Sequence, residues 1–82
     1  MEKKYEIAES YGILGSKNTK EGTQTLELHL IKWFGGAAKL DLRWWSDGAP
    51  SKGVTFTAKE AIKLRDALIR MNLGEDNYGK ED

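Results

Sequence analysis

Between Thr23 and Trp33 the chain alternates with a period of two. Leu26, Leu28 and Leu30 fall on one face, and Thr25, Glu27, His29, Ile31 and Trp33 fall on the other. Successive side chains of a strand point to opposite faces, so this pattern predicts a strand with one covered face, the leucine face. Lys39 to Trp45 alternates again, with Leu40, Leu42 and Trp44 turned inward and Lys39, Asp41, Arg43 and Trp45 outward. Gly35-Gly36 marks a hairpin turn between the two runs, loosened by Ala37-Ala38. Upstream, Tyr5 to Ala8 and Tyr11 to Leu14 are short β-prone runs around Gly12 and Gly15, and they read as one bent or bulged first strand. Ser16 to Gly22 and Ser46 to Ser51 read as loops. Gly53 to Phe56 is a short last strand that offers Val54 and Phe56 to the core.

The pattern then changes period. Ala61, Leu64, Leu68 and Met71 recur at helical spacing, joined by Ile62 and Ile69. Thr57-Ala58-Lys59-Glu60 predicts a capping box, in which hydroxyl and carboxylate each satisfy a free amide of the first turn. Asn72-Leu73-Gly74 supplies the stop, with Gly74 suited to a left-handed cap. Lys59, Lys63 and Arg65 lie beside Glu60 and Asp66 and form a solvated face. The fold class predicted is α+β: one curved four-stranded antiparallel sheet with a C-terminal helix. The apolar arc of that helix is too broad for one small sheet to cover, which points to a homodimer.

Composition narrows the picture. With 82 residues and no cysteine, the chain makes one small domain without disulfides or thiolate metal sites, and dimerisation is the expected source of added stability. No apolar run approaches the roughly 20 residues needed to span a bilayer, so a soluble cytoplasmic protein is expected. The net charge of zero hides a partition. Residues 17–65 hold nine Lys/Arg against five Asp/Glu, whereas residues 74–82 hold Glu75, Asp76, Glu81 and Asp82 against Lys80. This divides the chain into a binding domain over 1–73 and an acidic tail over 74–82, which reads as a solvated, disordered end or as a competitor for the same basic groove.

Chemistry concentrates in one stretch. From Trp33 to Lys52 lie all three tryptophans, Phe34 and the cations Lys39, Arg43 and Lys52, with Lys32 just ahead. Rings for bases and cations for phosphates are what a single-stranded nucleic acid requires. The candidate binding residues are Lys32, Trp33, Phe34, Lys39, Arg43, Trp45, Pro50 and Lys52. Parity separates the adjacent tryptophans: Trp44 shares the face of Leu40 and Leu42 and belongs to the core, whereas Trp45 belongs to the binding face. Arg43 has a plainer role open to it, a cross-strand pair with Glu27 worth roughly 0.2–1 kcal/mol.

The run Trp33-Phe34-Gly35, then Leu40-Asp41-Leu42-Arg43-Trp44-Trp45, then Lys52-Gly53-Val54-Thr55-Phe56-Thr57, with four strands ahead of one helix, resembles the transcriptional coactivator family called positive cofactor four. The resemblance is to its bacterial YdbC-like branch and covers roughly residues 5 to 71. It implies a strongly curved sheet, a dimer with helices at the interface, and a β-surface that binds single-stranded DNA with little sequence preference. By position it implies that Trp33 and Phe34 fill the aromatic place before the turn and Lys39 the basic place after it. Arg43 is then the strand arginine, Trp45 the stacking aromatic, and Lys52 the basic residue before the last strand. Two places depart from the pattern: Trp44 stands where an acidic or polar residue is usual, which leaves either Trp44 or Trp45 open as the stacking ring, and Gly35 to Ala38 is poorer in charge.

The functional expectation is a sequence-tolerant single-strand binder, without cofactor, serving transcription, replication or repair. An RNA-directed version of the same surface, or a regulator that binds a protein partner, is the alternative. Catalysis has little support, because there is no Cys nucleophile, no partnered His, no phosphate loop and no metal-ligand cluster. His29 reads as a tolerated strand residue, and Asp41 and Asp47 as strand and turn residues.

Overall fold

A computed structural model describes residues 4–73. Strands β1 (Tyr5–Thr19), β2 (Gly22–Trp33), β3 (Ala38–Ser46) and β4 (Ala49–Phe56) form one antiparallel sheet in the order β1-β2-β3-β4, followed by helix α1 (Ala58–Met71). The fold is α+β, as the alternation and its change of period predict. The acidic tail over 74–82, with Gly74, lies outside the described residues.

The turns are tighter than expected. The loop foreseen over Ser16 to Gly22 shrinks to Lys20-Glu21, because pairs Ser16↔Thr25 through Thr19↔Gly22 continue the ladder. Local side-chain bonds close it: Thr19 donates to the Gly22 carbonyl at 2.8 Å, and Thr23 to the Asn18 amide oxygen at 2.9 Å. The β2–β3 turn centres on Phe34-Gly35, one residue earlier than Gly35-Gly36, with φ of 53° and 76° and a bond from the Gly36 N–H to the Trp33 carbonyl at 2.9 Å. The foreseen loop Ser46 to Ser51 is a two-residue turn, Asp47-Gly48, with φ of 52° and 77°. Two successive positive φ values match the right-handed twist of a hairpin, and Asp-Gly is a preferred pair for them.

Curvature decides where the core sits. β1 pairs with β2 through three register shifts, and Ala8, Tyr11 and Leu14 each lack a partner there. Each such bulge bends its strand and adds twist. Tyr5 pairs with Trp33, while Trp45 pairs with Thr25, eight positions away along β2. In a straight strand those positions stand about 26 Å apart. Yet the Tyr5 ring centroid lies 5.6 Å from the rings of both Trp33 and Trp45, and its hydroxyl donates to the Gly48 carbonyl at 3.4 Å. The sheet is therefore curled, with Thr25, Glu27, His29, Ile31, Trp33, Asp41, Arg43 and Trp45 on its concave side.

Burial follows that curl and reverses the expected core. The buried residues among those described are Ile31, Trp45, His29 and Asp41, all on the concave face. Leu26, Leu28, Leu30, Leu40, Leu42, Trp44 and Phe56, assigned inward from their hydropathy, are half-buried, and Val54 is exposed. Side chains converge on the inside of a curled sheet and cover one another; on the outside they splay apart. At Gly53, paired with Arg43, a Cβ would stand 1.9 Å from the Arg43 Cβ, so the strands meet where no side chain fits.

Helix α1 begins with the foreseen capping box: the Glu60 N–H donates to Thr57 Oγ1 at 3.2 Å, and the Thr57 N–H donates to Glu60 Oε1 at 2.9 Å. Asn72 takes a left-handed cap, with φ of 49°. The helix packs beside β3 and β4 and buries none of its residues fully. Ile62, Leu68, Ile69 and Met71 remain exposed. Among the described residues, no helix is long and apolar enough to cross a membrane.

Candidate nucleic-acid interface

The concave face is organised around the Asp41 carboxylate, which is fully buried. Its Oδ1 accepts from Arg43 Nε at 2.7 Å, and its Oδ2 accepts from Arg43 Nη2 at 2.9 Å, from the Thr55 hydroxyl at 2.6 Å and from the Trp33 indole N–H at 3.3 Å. Burial pushes the Asp41 carboxyl upward, but the hydrogen bonds from Arg43 and Thr55, the Arg43 charge and the Trp33 bond outweigh it and hold the group below the ordinary carboxylate value. Arg43 thus pairs with Asp41, two residues back on its own strand, and not with Glu27 across the ladder. Both carboxylates share the face of Arg43, but that of Glu27 is taken by the Thr25 hydroxyl and His29 Nε2.

Arg43 also lies over the Trp33 ring, 4.9 Å from its centroid, a contact of about 0.5–2 kcal/mol. Its Nη1 donates to the Ser51 carbonyl at 2.8 Å. Further along the face, Glu27 accepts from the Thr25 hydroxyl and pairs with His29 Nε2 at 2.7 Å. The His29 ring stands edge-on to Trp45 with centroids 5.3 Å apart. His29 is therefore built into a buried cluster and is more than a tolerated strand residue. His29 Nδ1 and Trp45 Nε1 are buried without a protein partner, a cost of about 1–3 kcal/mol for each group.

The foreseen binding residues separate into four places. Trp33, Lys39, Arg43, Trp45 and Pro50 share the concave face, since Lys39 pairs with Ile31 and Pro50 with Trp45. Lys32 alternates onto the convex face, and Phe34 forms the hairpin tip. Lys52 lies in the irregular stretch of β4 opposite Trp44. Trp45 needs correction as a stacking ring: it is 4% exposed, walled in by Tyr5 and His29. Trp44, assigned to the core, is the more open of the two, and Lys17 Nζ sits 4.2 Å from its ring centroid. Phe34 is the most open ring of the stretch, 77% exposed. Lys32, Lys39 and Lys52 are exposed, whereas the Arg43 side chain is 15% exposed and already paired.

The chain is 39% identical over 71 residues to an uncharacterized protein of Treponema pallidum (strain Nichols), a match covering 84% of this chain and 80% of that protein. The two belong to one family. No family model matches the chain.

Asp41, Thr55, Tyr5 and Gly53 were not singled out from the sequence as parts of this site. For Asp41 a signal existed in its i, i+2 spacing from Arg43. Tyr5 gives none, because its approach to Trp45 spans 40 positions and depends on the curl of the sheet.

Proposed function

We propose that this chain is a non-enzymatic protein that binds single-stranded DNA with little sequence preference, as a cytoplasmic homodimer serving transcription, replication or repair. The observation that carries this reading is the β2–β3 hairpin tip. Phe34 holds φ of 53°, a region bulky residues seldom occupy, and its N–H donates to the Lys4 carbonyl at 2.7 Å. That geometry keeps an aromatic ring in solvent beside Trp33, 6.4 Å between centroids, with exposed Lys32 and Lys39 nearby in the chain. A ring that stacks and cations that meet phosphates are the parts of a sequence-tolerant single-strand site. The resemblance to the positive cofactor four family supports the same reading.

The half-covered leucine face and the exposed apolar side of α1 support the homodimer, because contiguous apolar surface on a small protein marks an association site. Sedimentation equilibrium is expected to give a dimer at micromolar concentration; a stable monomer would remove that part. For binding, labelled single-stranded DNA, RNA and duplex are compared by filter retention at two salt concentrations. Single-stranded DNA is expected to bind most tightly, and less so at high salt. Preference for duplex, or no retention, would end this reading, and tighter retention of RNA would assign the surface to RNA instead.

A further inference from the structure

The cation at the centre of the concave face has little left to offer a phosphate. A guanidinium carries five N–H groups in a rigid fork. In Arg43, Nε and Nη2 donate to Asp41, Nη2 also approaches the Thr55 hydroxyl at 3.4 Å, and Nη1 donates to the Ser51 carbonyl. Its charge is matched by a carboxylate sealed from solvent at 2.7 Å. The same carboxylate holds the Trp33 indole by its N–H, while the guanidinium covers the Trp33 ring. One buried group therefore sets both the edge and the face of a ring that neighbours the open Phe34.

We propose that Asp41 is a positioning residue that locks Trp33 and Arg43 into one unit, so that Arg43 acts on the Trp33 ring and leaves phosphate contact to exposed lysines such as Lys39. The phosphate half of this proposal rests on the single-strand reading; the locking half does not. Thr55 completes the lock from β4, and Gly53 lets that strand approach closely enough for it to do so.

Two measurements on the full chain test the proposal. In the first, hydrogen exchange of the Trp33 indole N–H and the Arg43 Nε–H is followed by NMR without nucleic acid. Both protons should exchange at least tenfold faster in Asp41→Asn than in the wild type, and Thr55→Val takes its place if that variant does not fold. Unchanged exchange of both protons in a folded variant would overturn the lock. In the second, binding of a labelled oligothymidine is titrated across salt concentrations. Arg43→Lys keeps the charge and loses the fork, so it should weaken binding about tenfold with the salt slope unchanged. Lys39→Ala should lower the slope by about 0.7, the value for one phosphate contact on a single strand. Arg43→Lys binding as the wild type does, or Arg43→Ala lowering the slope by that amount, would restore Arg43 as a phosphate ligand and overturn this half. If the wild type binds no oligothymidine, the single-strand reading fails, and the exchange measurement still decides the lock.

Discussion

On the convex face of the sheet, Leu26, Leu28, Leu30, Leu40 and Leu42 stay half-exposed, whereas on the concave face a histidine and an aspartate are sealed beside Ile31 and Trp45. Hydropathy alone ranks these faces the other way round. The difference teaches that in a single curled sheet burial is set by geometry before composition: converging side chains cover each other, and polar groups under that cover cost stability wherever a bond is left unmet. Asp41 has its bonds met by donors from Trp33, Arg43 and Thr55, whereas His29 is met at Nε2 alone, through the Glu27 carboxylate that also accepts from Thr25. The convex leucines are only half-covered among the described residues, and a second copy is the occupant we propose for that face.

The sharpest way to break the comparison is a pair of neighbouring substitutions. Trp45→Ala should cost roughly 3–5 kcal/mol of stability by urea denaturation, as for a large buried ring. Trp44→Ala should cost about 1–2 kcal/mol, since its ring is half-exposed and holds one cation contact. The reverse order would return the interior to the leucine face. Next comes Gly53→Ala, expected to cost roughly 2–3 kcal/mol in the same measurement, because its new methyl must displace the Arg43 backbone. A wild-type melting curve for Gly53→Ala would mean that β3 and β4 separate without penalty.

The concave face should also carry the acid sensitivity. Burial raises the Asp41 pKa, but Arg43 and the other donors lower it by more, and the folded group titrates below the ordinary carboxylate range. A depressed carboxyl contributes stability that is present above its unfolded pKa and lost as pH falls through its folded one. Melting temperature should therefore drop on acidification below about pH 4, and Asp41→Asn should flatten that limb; an identical limb in the variant would place the acid sensitivity elsewhere. Smallest in its effect on the fold is Phe34→Ala at the hairpin tip. It should leave the melting temperature nearly unchanged and weaken single-strand binding by roughly 1–3 kcal/mol, one stacked base, at every salt concentration. Equal affinity for wild type and Phe34→Ala would remove the tip from the site.

Period-two alternation determined by itself that Thr23 to Trp33 and Lys39 to Trp45 are strands, and the parity of every side chain on them holds in the structure. The capping box at Thr57 and the helical spacing that follows it were equally plain, because both are local rules acting within a few residues. Asp47-Gly48 is a pair that favours a two-residue hairpin turn, and the structure closes it more tightly than the loop Ser46 to Ser51. Which face would be covered was not legible, because that depends on curvature accumulated over three bulges and on contacts such as Tyr5 with Trp45, far apart in the chain. For the same reason only the tertiary structure decided that Trp45 is walled in while Phe34 stands open, and that Arg43 is bound to Asp41. Alternation specifies sides within a strand; what lies over each side is a property of how the whole sheet bends.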